Sequence, residues 1–402
     1  MSLKRAYIPY GGYWSTPFVK WQGSFASLHP VRFAAEITSR ALGEREISPK
    51  SFTSLYFGTT VPSKNSFYGA PWLAGMIGAE GITGPVFSQA CATSARVIGS
   101  AAYEVEAENE SDPTILCITA DKTSNGPHLL YPNPFGPGGL GDAEDWVWDN
   151  FSFDPFAGNS MLETAENVAR ENNISTVEQH EAVLIRHEQY SQALENEAAF
   201  HKRYMIPVEV NPSGRKVVAT VTGDEGIFPT TAEGLARLKP VMREGTVTFG
   251  GQTFPADGNA GMIVTTREKA RKLSRDPNIE IKLLAYAEGR AEKGHMPKAN
   301  APTMRQVLDR AGISLAEMKA IKTHNPFAVN DCFLSREFGI PIDRMNNYGS
   351  SLIWGHPQGP TGMRLIIEMI EELVLLGGGY GLFTGCAAGD TAAAVVLEVR
   401  TP

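Results

Sequence analysis

Cysteine is scarce in this chain, with four in 402 residues: Cys91, Cys117, Cys332 and Cys386. So few thiols exclude a disulfide framework, and none of their spacings is that of a metal-ligand pair, so no metal is expected. Long apolar runs are missing as well. No stretch reaches the roughly 20 residues that span a bilayer. The start, Met1-Ser2-Leu3-Lys4-Arg5-Ala6-Tyr7, lacks the apolar core of a signal peptide, and Arg400-Thr401-Pro402 is no recognised address. These absences predict a cytoplasmic protein without a membrane partner. Basic excess is absent too: 36 Lys and Arg against 44 Asp and Glu give a net charge of -8. That balance argues against nucleic acid as a partner, and an anionic ligand would need a local basic patch.

What is present is an ordinary globular composition, 42% hydrophobic and 20% charged, long enough for two or three core-forming units. Residues 5–60 read as a strand at Ala6–Pro9, an aromatic and glycine-rich loop, a helix near His29–Leu42 and a strand at Ser54–Gly58. After Cys91, the Ala-rich residues 92–107 read as a helix feeding the strand Thr114–Thr119. The same order returns late: Gly355-His356-Pro357 leads to a helix at Thr361–Leu373, a stop at Gly377-Gly378-Gly379 and a strand at Tyr380–Gly385. A reactive residue followed by helix and strand in both parts predicts a duplication, two α/β halves sharing one site. Residues 122–265 break the pattern, with a Gly/Pro/aromatic loop (131–158), helices at 161–172 and 176–196, and a mixed stretch to Gly250. The expected division is 1–121 with 251–272, an inserted cap at 122–250, and 273–402. Trp146, Trp148, Phe151, Phe153 and Phe156 read either as pins of a surface loop or as a lid over an apolar acyl pocket.

The chemistry-bearing residues sit at element ends. Cys91 lies among Ala90, Ala92, Thr93 and Ser94 where a helix begins, and a helix N-terminus lowers a thiol pKa and offers backbone donors to an oxyanion. A lone cysteine there is more often a packed small hydrophobe, and His356 in its glycine-proline turn could be merely structural. His324 follows the strand Ala320–Thr323, where sites collect in α/β folds. Cys386 follows the apolar strand Tyr380–Gly385. Two thiols and two imidazoles beside small residues make thioester acyl transfer the economical reading, because exchange between two sulfurs is nearly thermoneutral. His29, His128, His180, His187, His201 and His295 show no such context and read as surface or structural. Gly377-Gly378-Gly379 lacks the lysine of a phosphate loop.

With those residues in place, the chain resembles the thiolase superfamily over nearly its full length. The stretch Ser88-Gln89-Ala90-Cys91 looks like its nucleophile segment, Gly355-His356-Pro357-Gln358-Gly359-Pro360-Thr361-Gly362 its histidine motif, and Gly381-Leu382-Phe383-Thr384-Gly385-Cys386 its last cysteine strand. Met161–Asn167, Leu238-Lys239-Pro240, Gly245–Thr248 and Asp257-Gly258 resemble the entry to and exit from its cap. The resemblance implies a five-layer αβαβα fold with an inserted cap, a homodimer, and no permanently bound cofactor, with coenzyme A (CoA) as co-substrate. It implies that Cys91 takes the acyl group, His356 activates it, and Cys386 is the acid/base at the substrate α-carbon. His324 and His356 would form one oxyanion hole, and the backbone N–H groups of Cys91 and Ala388 the other. Thr253 falls where the family often has a serine near the CoA chain.

Three features depart from the family's common pattern: His324-Asn325-Pro326-Phe327, Cys386-Ala387-Ala388, and the aromatic start Tyr10-Gly11-Gly12-Tyr13-Trp14. They suggest a non-standard acyl group. The chain most resembles the branch that cleaves 2-benzoylsuccinyl-CoA with CoA to benzoyl-CoA and succinyl-CoA in anaerobic toluene degradation. That branch works with a small zinc-ribbon/OB-fold companion subunit. The alternatives are an aliphatic acetyl-CoA acetyltransferase or sterol-carrier-type thiolase, and a non-catalytic acyl-CoA-binding subunit. A decarboxylating or aldol-type condensing enzyme of the same fold needs no second thiol, so Cys386 argues against it; loss of Cys91 or His356 would mark a binder, and both are kept.

Overall fold

A computed structural model describes residues 2–108, 112–124, 126–212 and 216–402. The first part of the chain forms β1 (Tyr7–Ile8), β2 (Tyr13–Ser15), β3 (Val19–Lys20), α1 (Pro30–Glu44), β4 (Ser54–Gly58), α2 (Gly69–Met76), β5 (Val86–Phe87), α3 (Thr93–Ala107) and β6 (Thr114–Lys122). Then come β7 (His128–Tyr131), β8 (Asp142–Asp145), α4 (Trp148–Ser152), α5 (Met161–Glu171), α6 (Thr176–Ala198), β9 (Val208–Val210), β10 (Ala219–Val221) and α7 (Ala232–Ala236). The remainder is β11 (Ala256–Thr265), α8 (Arg267–Leu273), β12 (Glu280–Arg290), α9 (Asn300–Ala311), β13 (Met318–His324), α10 (Ala328–Phe338), α11 (Ser351–Trp354), α12 (Gly359–Leu375), β14 (Gly379–Ala387) and β15 (Thr391–Arg400).

The main sheet runs β13-β14-β15-β12-β1-β11-β6-β4-β5, with β2 and β3 also on β11. One edge of β11 pairs with β6 along its length, while the other is covered in turn by β3, β2 and β1. The two-residue β1 is the seam: Tyr7 lies opposite Thr265 on one side and Lys282 on the other. Helix α12 touches β6 and β11 on one side and β13, β14 and β15 on the other, and α3 lies beside it, touching β6, β11 and β15. Helices α1 and α2 cover the outside of the first half, and α9 that of the second. These are the five layers αβαβα of the expected fold. No helix among the described residues is long and apolar enough to cross a membrane.

Local signals explain the elements that carry the site. Strand β6 is buried on both faces, so it reads as an unbroken run, Thr114-Ile115-Leu116-Cys117-Ile118-Thr119-Ala120. Each fully buried Ile or Leu there contributes about 1.5–3 kcal/mol. Helices α5 and α6 both start with capping boxes, Ser160 with Glu163 and Ser175 with Glu178. Helix α12 starts with Pro360 in its first turn and ends where Gly377 and Gly378 take φ of 74° and 87°. The Gly378 N–H then donates to Leu373 O at 2.8 Å, which stops the helix.

One aromatic feature that a substrate reading invoked is taken up by the core, and a second is tied to the body of the fold. Tyr13 and Trp14 are fully buried in the core, with the Tyr13 hydroxyl donating to Glu371 Oε1 at 2.6 Å. An interior phenol needs such a partner, so the aromatic N-terminus builds the sheet rather than lining an acyl pocket. The loop at 131–158 contains the β7–β8 hairpin, whose tip leaves Phe135 97% exposed. Its later aromatics pin it down: Trp146 Nε1 donates to Thr60 O at 2.9 Å, and Trp148 packs on Trp21 at 5.2 Å.

Helix α12 also buries charge. Fully buried Arg364 holds both carboxylate oxygens of Asp224 at 2.6 and 2.8 Å and Glu368 at 3.0 Å, with the rings of Trp354 and Phe18 at 4.4 and 4.9 Å. Tyr204 donates to Glu368 and Arg203 to Glu371, each at 2.6 Å, and Lys322 meets Glu372 at 3.0 Å. Each charge has a partner, as burial demands.

Candidate active site

Cys91 precedes α3 by two residues and not within its first turn, with Ala90 at φ 44°. That left-handed residue is strained for a side chain with a Cβ. The turn is tied by the Gln89 N–H to Thr93 Oγ1 at 2.8 Å and by the Thr93 hydroxyl to Ala90 O at 2.7 Å. The thiol projects from this turn toward the loop between α11 and α12. There His356 Nε2 lies 3.0 Å from Cys91 Sγ, and His356 Nδ1 lies 2.6 Å from Thr361 Oγ1. With Nδ1–H donating to Thr361, Nε2 is left as the acceptor facing the thiol.

The loop is held from four directions. His356 N–H donates to Phe254 O at 2.9 Å, and Ala256 N–H returns a bond to His356 O at 3.3 Å. Gly355 has φ 90°, and a Cβ on it would come within 2.7 Å of the Phe254 ring, so glycine is required. Gly359 N–H donates to Asp121 Oδ2 at 2.8 Å, and its carbonyl accepts from Ser94 Oγ. Asp121 also accepts from Thr59, from the backbone and hydroxyl of Thr60 and from Val61; burial nonetheless pushes its carboxyl up to about 6.

His324 ends β13, and its ring stacks on that of His356 at 4.1 Å. Its Nδ1 lies 2.7 Å from Ser351 Oγ, while Nε2 is buried without a hydrogen-bond partner among the described residues. The Ser351 hydroxyl has one proton for two acceptors, Nδ1 at 2.7 Å and Asn325 Oδ1 at 3.2 Å; when it goes to the nearer Nδ1, Nε2 carries the imidazole proton and is a donor. Cys386, buried in β14, receives the Asn330 amide at 3.3 Å. The backbone N–H groups of Ala388 and Cys91 both favour the Cys91 thiolate, yet burial outweighs them and pushes that thiol up to about 12. Burial likewise raises Cys386, lowers His356 to about 3 and holds His324 well below the usual imidazole range. At neutral pH the site therefore rests as neutral thiols and neutral imidazoles, with proton transfer coupled to attack.

All four side chains singled out in the sequence, from Cys91 to Cys386, meet at one place, the two thiols being near enough to interact electrostatically. Thr253 is nearby but occupied: its N–H donates to Pro326 O at 2.8 Å and its hydroxyl to Ser351 O. Its neighbours Gln252 and Phe254 line a cavity of about 430 Å³, with Phe228, Phe249, Leu352 and His187 among its walls. His187, read from sequence as surface or structural, is thus a cavity residue. Ser351, Asn330 and Asp121 carried no local signal, since their partners come from remote parts of the chain, whereas Thr361 stands five positions from His356 within the histidine turn and its part in orienting the ring was not read. Donor atoms of Cys91, His324 and His356 lie within 4.8 Å of one another, as do those of Glu171, Glu292 and His295. In the first set sulfur and imidazole bond each other directly, and in the second Lys298 bridges both carboxylates, so neither is assigned as a metal centre.

Comparison with known proteins places the chain as a whole. The family Thiolase, N-terminal domain, matches residues 13–268, and Thiolase, C-terminal domain, residues 278–399. A beta-ketothiolase of Cupriavidus necator is 27% identical over 383 residues, covering 94% of this chain and 95% of that protein. A beta-ketoadipyl-CoA thiolase of Pseudomonas knackmussii is 27% identical over 402 residues, covering 95% and 96%. The crystal structure of human mitochondrial 3-ketoacyl-CoA thiolase in complex with CoA superposes with a TM-score of 0.89 at 25% identity, covering both chains completely. The chain belongs to the thiolase family of acyltransferases.

Proposed function

We propose that this thiolase cleaves a β-ketoacyl-CoA with CoA through a Cys91 acyl-enzyme, and that its substrate is 2-benzoylsuccinyl-CoA, giving benzoyl-CoA and succinyl-CoA. The mechanistic reading rests chiefly on the 3.0 Å contact between Cys91 Sγ and His356 Nε2. In the first step the S–H bond breaks, the proton passes to Nε2, and the sulfur electron pair attacks the β-carbonyl carbon. The resulting oxyanion is held by the N–H groups of Cys91 and Ala388. When the carbonyl re-forms, the bond between the α- and β-carbons breaks and its electron pair stays on the α-carbon. His324 and His356 stabilise the thioester oxygen of that carbanion, and Cys386 protonates its carbon. Succinyl-CoA leaves, with Cys386 now a thiolate. In the second half, Cys386 takes the thiol proton of incoming CoA, whose sulfur attacks the Cys91 thioester. His356 returns its proton to Cys91 as the acyl group departs.

The cavity beside Thr253, with its Phe and Leu walls, would take the CoA chain. Residues 122–250 would act as the cap, around a homodimer core assisted by the companion subunit. For the acyl group the support is the His324-Asn325-Pro326-Phe327 segment, since the aromatic N-terminus is spent in the core. A second reading, an aliphatic β-ketoacyl group, is favoured by the names of the relatives. Incubation with benzoyl-CoA or acetyl-CoA and peptide mapping by mass spectrometry separates them. A benzoyl adduct on Cys91 supports the aromatic substrate, an acetyl adduct alone returns it to the aliphatic class, and no adduct, with the companion subunit present, refutes both.

A further inference from the structure

Gln358 has no part in the steps above, yet its side chain is the second polar group on the nucleophile. Its Oε1 lies 3.3 Å from Cys91 Sγ, and the residue is only 7% exposed. Its backbone sits at φ 62°, ψ -103°, a conformation that a residue with a Cβ seldom takes. The next residue is clamped on both sides, Gly359 N–H on Asp121 and Gly359 O under Ser94. The turn is therefore held in place, and it directs the amide at the reacting sulfur. Oε1 accepts from Cys91 Sγ, and the same side chain acts on the His356 ring.

We propose that Gln358 is a further catalytic residue: its amide carbonyl accepts the Nε2–H of His356 once the imidazole has taken the Cys91 proton, and so stabilises the thiolate–imidazolium state. This rests on the reading of Cys91 and His356 as nucleophile and base. In the resting pair Oε1 and Nε2 compete for the single S–H proton. When the S–H bond breaks, the proton becomes an N–H directed between the sulfur, which keeps the electron pair, and the amide oxygen. No co-reactant is needed. Burial strongly disfavours the imidazolium, and against it the Gln358 side chain is what favours the charged ring. The titratable groups facing the pair are His324, stacked on His356, Cys386, and Asp121, whose negative charge opposes the thiolate. A hydrogen bond to a charged group is among the stronger ones, so its loss is expected to slow thiolate formation about ten- to hundredfold.

The test uses the whole protein with Gln358→Met, which keeps length and removes the carbonyl. Iodoacetamide labelling of Cys91, mapped by mass spectrometry across pH, reports thiolate formation. The NMR titration of His356 in the Cys91-alkylated protein reports the imidazolium. Expected are alkylation at pH 7 slowed about ten- to hundredfold, and a lower His356 midpoint, with unchanged thermal melting. Unchanged alkylation and titration curves in a folded variant would overturn the proposal. If the Met variant fails to fold, Gln358→Asn withdraws the amide by one methylene and carries the same expectations. If iodoacetamide does not prefer Cys91 over Cys117, Cys332 and Cys386 in the unaltered protein, the nucleophile reading itself fails first.

Discussion

Replacing Arg364 by methionine removes a cation from the middle of the molecule while keeping most of its stem. Asp224 and Glu368 are then left as buried carboxylates whose guanidinium contacts, at 2.6, 2.8 and 3.0 Å, are gone. Breaking a buried pair from one side costs about 3–5 kcal/mol, because the remaining charge stays desolvated. Asp224 keeps the Phe18 N–H and the Tyr190 hydroxyl, and Glu368 keeps Tyr204. These donors place the expected loss near the lower bound, about 3 kcal/mol. The double variant Arg364→Met, Asp224→Asn removes one of the stranded charges and should regain roughly half of that. Urea unfolding with matched m-values measures both, and the KM for CoA supplies a functional reading. Asp224 leads into Gly226–Thr231 on the cavity wall, and Trp354 under Arg364 precedes Gly355 and His356. A single variant within about 1 kcal/mol of the unaltered protein, or a double variant showing the plain sum of the two single losses, would refute the reasoning.

Cys386→Ser replaces the proton donor by a far weaker acid, so carbon–carbon cleavage should fall about 10²–10⁴-fold while Cys91 is still acylated; a steady-state assay beside intact mass spectrometry checks both. His356 titrates near 6.5 in the unfolded chain but at about 3 when buried. The stability owed to its neutral form is therefore complete above pH 6.5 and lost as pH falls from there toward 3. His356→Asn should accordingly flatten the acid limb of the urea midpoint–pH curve, and a limb of equal slope would contradict the assignment. Gly355→Ala, forced against Phe254 at φ 90°, should cost about 1–3 kcal/mol and lower kcat more than KM, read from unfolding and kinetics.

The four side chains of the candidate site were legible because each lies at or near an element end, a pattern visible over eight or ten positions. Cys91, His324, His356 and Cys386 belong to this class, and the glycines around His356 marked a turn that the structure explains through Phe254. Partners that work across the fold were not legible: Arg364 finds Asp224 across 140 positions, and Asp121 finds Gly359 across 238. Composition also misled where it was richest. The Tyr13-Trp14 pair looked like substrate chemistry, but burial between sheet and helix supplies its reason. The β7–β8 hairpin escaped because Gly and Pro hide a strand period, and His187 because only α6 as a whole carries it to the cavity.

The two-residue seam β1 sets a timetable for the chain's birth. Tyr7 leaves the ribosome well before its partner Lys282, which is made 275 residues later. At about 5–20 residues per second, that interval is roughly 14–55 s. Until Thr265 and Lys282 are made, β1 has neither sheet neighbour, and Tyr13 waits for Glu371 further on still, so the nascent first half presents the β6 edge that β11 later covers. Slow synthesis should therefore favour aggregation, and chaperones that shield extended segments should raise the yield of this thiolase more than its final stability suggests.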